Sequence, residues 1–202
     1  MPNIVQPKGF VPSRYRNANP YTGACNMYCV PSSDVTQLNV GDPVKSAAGG
    51  DANGIPYMQK AAGTDTVRGV IVGVLASGYN APSLVGTNLD LTIQNIPAAK
   101  TKDYYILVAD DPDLIFEVAD DGVSALTSAA CNKNASFTVT NPTAPGQNSA
   151  SVLLTSSVAV TQGLNLKIIG LVQKPGNAYG KNALWAVIFN QHEFGGPNTA
   201  GV

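Results

Sequence analysis

The chain has 202 residues, of which 44% are apolar and only 12% are Asp, Glu, Lys or Arg, and its formal net charge at pH 7 is −1. A soluble domain of ordinary composition carries about 25% charged residues, so this chain has a weakly charged surface. The 12 basic residues are scattered and no apolar run approaches about 18 residues, which argues against nucleic-acid binding and against a membrane-spanning helix.

The N-terminal segment, residues 1–25, is predicted to be an extended arm. Four prolines lie in it: Pro2, Pro7, Pro12 and Pro20. Proline removes a backbone donor and fixes φ, which is unfavourable in a helix or a central strand. Aromatic residues on such an arm pack either on their own body or on a neighbour, so Phe10, Tyr15 and Tyr21 are the candidate partner-contact residues. The segment has no charged start followed by an apolar stretch, so we expect no signal peptide and synthesis in the cytoplasm.

Residues 26–194 predict a β body of about ten short strands separated by turn signals. The run from Val67 to Ser77 is apolar on both alternating faces, which is typical of a strand covered on both sides. The segment from Leu184 to Asn190 alternates Trp185, Val187 and Phe189 with the remaining residues, as a strand does.

Helical periodicity is nearly absent, and only Val123 to Ala130 fits a short helix. The sequence therefore predicts an all-β fold, an antiparallel sandwich or barrel with a jelly roll among its variants, preceded by the extended arm. If the body divides into two lobes, the break is expected near residues 78–86. Residues 195–202 are expected to form a loose tail.

The acidic segment "DYYILVADDPDLIFEVADDG", residues 103–122, raises the question of a metal or acid–base site. Its six carboxylates are Asp110, Asp111, Asp113, Glu117, Asp120 and Asp121. Pro112 after Asp111 favours a type I turn, and Asp121 is placed to cap the short helix that follows. We expect these acids to lie in solvent at the ends of two strands. Weak calcium binding is the alternative, although the regular calcium-loop pattern is absent.

Catalysis and zinc binding have little support in the sequence. The chain has one histidine, His192, and no G-x-S-x-G nucleophile motif. Of its three cysteines, Cys25 and Cys29 are close enough in sequence to share a zinc ion, but only His192 and Cys131 remain to complete four ligands. We therefore expect no enzyme activity, no metal and no cofactor.

Four segments together resemble small structural proteins of tailed bacteriophages, and the resemblance runs from about Gly9 to Phe194. They are "GFVPSRYRNANPYTGACNMYCVPSSDVTQLNVGDPVKSA", "GIPYMQKAAGTDTVRGVIVGV", "DYYILVADDPDLIFEVADDG" and "LKIIGLVQKPGNAYGKNALWAVIFNQHEF". The resemblance implies a capsid decoration or cement protein, a virion component that binds the outside of a capsid and holds capsomers together. It also implies an all-β homotrimer whose partner is the major capsid protein, and it carries over no catalytic residue.

Two other interpretations remain open. A tail or fibre-base component of a virion would have the same β-rich character. A carbohydrate- or calcium-binding β module is favoured by Trp185, by the eight tyrosines and by the acidic turns, although most of these aromatic residues alternate with aliphatic ones, as core residues do.

Overall fold

Strands dominate the computed structural model, which describes residues 3–4, 8–75, 93–143 and 148–195. The strands are β1 (Val11–Tyr15), β2 (Asn26–Val30), β3 (Leu38–Asn39), β4 (Pro43–Gly50), β5 (Pro56–Lys60), β6 (Gly69–Leu75), β7 (Asn95–Ile96), β8 (Tyr104–Ala109), β9 (Leu114–Ala119), β10 (Asn134–Ala135), β11 (Phe137–Thr138), β12 (Val152–Leu153), β13 (Leu166–Leu171) and β14 (Leu184–Phe189). No α-helix occurs in these ranges, which confirms the all-β prediction. The expected lobe break at 78–86 and residues 196–202 of the expected tail lie outside the described residues.

Five strands form a closed barrel in the order β2-β5-β4-β6-β8. Neighbouring strands are antiparallel except β2 and β5, which run parallel and meet at Cys29 and Tyr57. The barrel core consists of Tyr28, Val30, Leu38, Val44, Met58, Ile71, Val74, Ile96, Ile106 and Val108. The barrel alternative of the sequence prediction is therefore realised in this half of the molecule.

The other half is an open antiparallel sheet in the order β1-β9-β14-β13-β10. One face of this sheet lies over a second cluster, the sheet core, to which β9 and β14 contribute Phe116, Trp185, Val187 and Phe189. The short pair β11 and β12 adds Phe137 and Leu153 to the same core. A closed barrel beside an open sheet differs from the paired sheets of a jelly roll.

Strand β6 belongs to both halves. Val70 lies in the sheet core, while Ile71 and Val74 lie in the barrel core. This double burial explains why the part of the apolar run that β6 contains, Gly69–Leu75, is apolar on both alternating faces. Gly69 permits the close approach of β8 at this point, because a Cβ atom there would lie 2.4 Å from the carbonyl oxygen of Ala109.

From Phe10 onward, the segment that was predicted to be a separate arm is part of the body. Strand β1 is the edge of the open sheet and pairs with β9, with an irregularity between Pro12 and Arg14. The chain then returns along the outer edge of β1, because the amide of Tyr21 donates to the carbonyl of Ser13 at 3.1 Å. An edge strand tolerates proline, so Pro12 does not interrupt the sheet.

The predicted helix at Val123 to Ala130 is not formed. Only Ser128–Ala130 makes a three-residue 3₁₀ turn, and a second such turn lies at Thr155–Ser157. The N-cap of the first turn is Thr127, whose side chain accepts from the amide of Ala129. Thr127 thus has the capping role that the sequence assigned to Asp121. None of the helices in the described ranges has the length and apolar character needed to cross a membrane.

Asp120 corrects the expectation that all six acids lie in solvent, because it is only 3% exposed. One carboxylate oxygen, Oδ1, accepts from the amides of Asn182 at 2.7 Å and Gly122 at 2.9 Å. The other, Oδ2, accepts from the amide of Ala183 at 3.0 Å and the indole Nε1 of Trp185 at 3.1 Å. Buried donors need an acceptor, so this carboxylate organises the turn before β14.

Replacing Asp120 by Ala should therefore lower the free energy of unfolding by about 3 kcal/mol, because four donors lose their acceptor. The matched control is Asp113→Ala, which breaks the exposed ion pair of Asp113 with Arg16 and should cost less than about 1 kcal/mol. Urea unfolding monitored by Trp185 fluorescence measures both values. Equal losses in the two variants would contradict the role assigned to Asp120.

Candidate functional site

Phe10, a candidate partner-contact residue, lies in the sheet core. It is 1% exposed, and its ring centroid lies 5.5 Å from that of Phe137 and 5.3 Å from that of Phe189. Gly9 turns the chain inward with φ +68°, and the amide of Phe10 donates to the carbonyl of Gly41 at 2.9 Å. The side chain therefore packs on its own body and presents no surface to a partner in this conformation.

Tyr15 and Tyr21, the other two candidates, remain partly exposed at the edge of the sheet core. Their ring centroids lie 6.5 Å apart, and both rings pack against that core. The hydroxyl of Tyr21 donates to the carbonyl of Ala24 at 3.1 Å. Burial, followed by the proximity of Cys25, raises the pKa of Tyr21 to about 12, so the phenol is neutral at physiological pH.

Substitution of Phe10 by Ala should lower the free energy of unfolding by about 3–5 kcal/mol, because it empties a ring-sized volume in the sheet core. Val160→Ala is the control, since Val160 is 86% exposed and its truncation should cost less than about 0.5 kcal/mol. Thermal or urea unfolding of the isolated chain distinguishes the two. A Phe10→Ala variant as stable as the parent would show that the ring serves a partner instead.

A group of interacting charged side chains lies at the junction between barrel and sheet. We call it the Arg68 cluster, and its members are Tyr28, Ser46, Arg68, Asp110 and Glu193. The hydroxyl of Tyr28 donates to Oδ2 of Asp110 at 2.5 Å, and Arg68 donates through Nη2 to the same hydroxyl at 3.1 Å. The guanidinium also lies within salt-bridge distance of both carboxylates, at 3.8 Å from Asp110 and 3.3 Å from Glu193.

The C-terminal segment closes over this cluster. Glu193 accepts from the backbone amide of Ser46 at 2.8 Å and from its hydroxyl at 2.5 Å. Backbone hydrogen bonds join Val67 to both sides of His192, at 2.9 Å from Gln191 and 3.0 Å from Glu193. The ring of Phe194 lies 3.4 Å from the guanidinium carbon of Arg68, a cation–π contact. The last described residues therefore fasten the sheet to the barrel.

Tyr28 in the Arg68 cluster and the neighbouring His192 are the groups here whose pKa values are shifted by their surroundings. Burial, with the hydrogen bond to Asp110, raises the pKa of Tyr28 to about 12, so this phenol does not ionise near pH 7. Burial lowers the pKa of His192, and its Nδ1 is already occupied as the acceptor of the Phe194 amide at 3.0 Å. A general base needs a free lone pair directed at a substrate, so the arrangement favours a structural role.

The acidic segment does not converge on one point. Asp110 precedes the corner between β8 and β9, whereas Asp120 follows β9 at its other end. Asp110 is buried, which corrects the expectation of a solvated acid, whereas Asp111 and Asp113 are exposed as predicted. In residues 3–4, 8–75, 93–143 and 148–195, no group of three or more His, Cys, Asp or Glu side chains is arranged to hold a metal ion.

The residues that suggested zinc or sugar binding are placed unfavourably for those ligands. Cys29 is buried, and burial raises its pKa to about 12, which disfavours the thiolate that zinc requires. Trp185 is also fully buried and donates to Asp120, so it cannot stack on a sugar.

The face of the open sheet opposite the sheet core is the outer sheet face. Cross-strand pairs align Val11 with Glu117, Glu117 with Ala186 and Ala186 with Gly170, and Ile169 stands beside them at a register shift. Val11 is 41% and Ile169 is 37% exposed. Glu117 forms an ion pair with Lys174. Arg14 and Lys167 also lie on this face, because they pair across the strands with Ile115 and Ile188.

The chain was compared with protein-family models, with curated proteins and with solved structures, and none of them matches it.

The pH dependence of stability should carry a contribution from His192. Because burial lowers its pKa below 6.5 in the folded chain, the unfolded chain binds more protons as the pH falls through that value. The contribution is complete above about pH 7 and is lost as the pH falls towards the folded pKa. The carboxylates of Asp110 and Glu193 oppose the lowering, and the charge of Arg68 adds to it.

In His192→Asn, the amide oxygen can still accept from Phe194 but does not titrate, so the loss of stability between about pH 7 and pH 5 should be smaller than in the parent chain. Urea midpoints measured across this range test the expectation, and measurements near pH 8 provide the reference. Identical pH dependence in both chains would contradict it.

Proposed function

We propose that this chain is a virion structural protein of the decoration or cement type. It binds the outer surface of a tailed-phage capsid and stabilises contacts between capsomers. Its partners are the major capsid protein and further copies of itself in a homotrimer. The resemblance of four segments to tailed-phage structural proteins supports this function, as does the low charge of the chain.

The structural observation that carries the proposal is the outer sheet face. Its exposed residues Val11 and Ile169 are apolar, and its central positions include Ala186 and Gly170, which leave the backbone accessible to close contact. Its carboxylate, Glu117, is paired with Lys174, and its other charged residues are Arg14 and Lys167. The core of a protein interface is depleted in charged residues, so this face has the character of a contact surface.

Both ends of the described chain are fixed to the body by hydrogen bonds, which also supports a structural role in an assembly. The side chain of Asn3 donates to the carbonyls of Ala178 and Lys181 at 2.8 and 2.9 Å and accepts from the amide of Ala178 at 3.0 Å. At the other end, Glu193 is bound to Ser46 and Arg68. A body fixed at both ends can bind with little loss of conformational entropy.

The proposal predicts that Ile169→Glu weakens capsid binding at least about tenfold, because it buries an unpaired charge in the contact. Val160→Glu is the matched control, since Val160 is exposed outside the strands of the outer sheet face. Co-sedimentation with heads of the phage that encodes the chain measures binding, and light scattering measures whether the free chain has three times its monomer mass.

Binding by the parent chain and by Val160→Glu, but not by Ile169→Glu, is the expected outcome. Failure of the parent chain to bind heads would contradict the decoration role, and binding to purified tails instead would assign the chain to a tail or fibre-base position. Equal binding by both variants would exclude the outer sheet face as the contact.

A further inference from the structure

A lysine, an asparagine and an aspartate from three separate segments meet beside the barrel. Lys60 is the last residue of β5, Asn141 follows β11, and Asp42 lies between β3 and β4. The Nζ atom of Lys60 lies 2.6 Å from Oδ1 of Asn141 and 3.0 Å from Oδ2 of Asp42. An amine placed between a side-chain amide and a carboxylate has the groups needed for acyl transfer from the amide to the amine.

The amine and the carboxylate are held in place and largely shielded from solvent. The side chain of Lys60 is 13% exposed and that of Asp42 is 0% exposed. Lys60 pairs across the strands with Val44, which fixes its backbone at the end of β5. Oδ1 of Asp42 accepts from the hydroxyl of Ser151 at 3.1 Å, so Oδ2 is the oxygen that faces Lys60. Reacting groups that are fixed in advance lower the entropic part of a reaction barrier.

Asn39 supplies a donor to the carbonyl oxygen of Asn141. Its Nδ2 lies 3.3 Å from Oδ1 of Asn141 and 3.1 Å from Oδ2 of Asp42. Asn39 is fully buried, and its own Oδ1 accepts from Nε2 of Gln37 at 3.0 Å, which fixes the orientation of its amide. A buried donor directed at this oxygen would stabilise the negative charge that develops there when a nucleophile attacks the amide carbon.

The position of Asn141 in the chain favours attack by the lysine. The usual intramolecular attack on an asparagine side chain comes from the backbone nitrogen of the next residue, but that residue is Pro142, which has no N–H. Asn141 is exposed. Rotation about its Cβ–Cγ bond can therefore turn the face of the amide towards Nζ, and ammonia that is released can leave directly to solvent.

We propose that Lys60 and Asn141 become joined by an intramolecular isopeptide bond, with Asp42 as the proton carrier. Asp42 takes a proton from the ammonium group, and the lone pair of Nζ then attacks Cγ of Asn141. In the tetrahedral intermediate, Oδ1 carries the negative charge beside Nδ2 of Asn39. Asp42 passes its proton to Nδ2 of Asn141, the Cγ–Nδ2 bond breaks, and ammonia departs.

The reaction balances without any further reagent. The new Nζ–Cγ bond replaces the Cγ–Nδ2 bond, no group is oxidised or reduced, and the second proton that Nζ loses leaves with the ammonia as ammonium. The bond would tie β5 of the barrel to the segment after β11, a strand that contributes Phe137 to the sheet core. The proposal goes beyond the virion function and does not depend on it.

Mass spectrometry of the denatured full chain tests the proposal, both directly after purification and after prolonged incubation of the folded chain. The parent chain should lie about 17 Da below the mass of its sequence, because it has lost ammonia. Lys60→Arg keeps the positive charge beside Asp42 but lacks the amine, and Asn141→Ala lacks the amide, so both should keep the unreacted mass. Lys45→Arg is the matched control, since Lys45 lies in β4 and pairs with Asp65 at 2.8 Å, and it should show the same loss as the parent.

A tryptic digest of the same samples locates the bond. Trypsin does not cleave after an acylated lysine, so residues 46–68 should remain a single peptide in the parent chain. This peptide should be linked to the peptide of residues 134–167, and fragmentation should place the branch at Lys60 and Asn141.

An unreacted mass after the incubation, with residues 46–60 and 61–68 recovered as separate peptides, would overturn the proposal. A loss of ammonia that persists in Lys60→Arg would overturn it as well, because succinimide formation at Asn53, which precedes Gly54, gives the same mass change. A loss of about 18 Da, the mass of water, would also overturn it and would assign the bond to a carboxylate. Because the readout uses the free chain, none of these results bears on capsid binding.

Discussion

The constraint on which the structure depends is that one strand, β6, is shared by two cores. Val70 packs with the open sheet and Ile71 with the barrel, so neither half can form its core completely without the other. The Arg68 cluster lies at the same junction, just before β6. There the charge of Arg68 is compensated by the carboxylates of Asp110 and Glu193. A largely desolvated arginine between two carboxylates is tolerable only when each partner is satisfied, which explains why Tyr28 also takes part. The charged cluster thus specifies how the two halves meet.

The fold class was accessible from the sequence because the relevant signals are local. Alternation in residues 184–189, proline in β1 and the two apolar faces of β6 each require only a few neighbouring residues to interpret. The position of Phe10 was not accessible, because burial of an aromatic residue in a proline-rich segment depends on contacts with Phe137 and Phe189, far away in the chain. The helix at 123–130 failed for a related reason, since no residue of that segment before Ala130 is buried and a helix there would have had little to pack against.

The sequence of the acidic segment predicts its turns but not which of its carboxylates are buried. The sequence predicts the turn and the exposure of Asp111 and Asp113, but Asp110 and Asp120 occur in similar acidic segments and are nevertheless buried. Their burial is decided by donors from distant strands, such as the indole of Trp185. The sequence does contain a signal for the position of Arg68. This residue directly precedes a strand that is apolar on both faces, so its charge is expected to lie near the core and to require a carboxylate partner.

The closure of the Arg68 cluster by Glu193 has a consequence for the order of folding. Arg68 and Glu193 are 125 positions apart, so this ion pair cannot form until residue 193 has left the ribosome. Contacts of such long range are formed late and slow the folding of β proteins. Until then the barrel core can form, but the junction between barrel and sheet at the Arg68 cluster stays exposed to solvent. We call this junction the seam. A chain that ends shortly before residue 190 would therefore keep this seam exposed to solvent and would be a target for quality-control proteases.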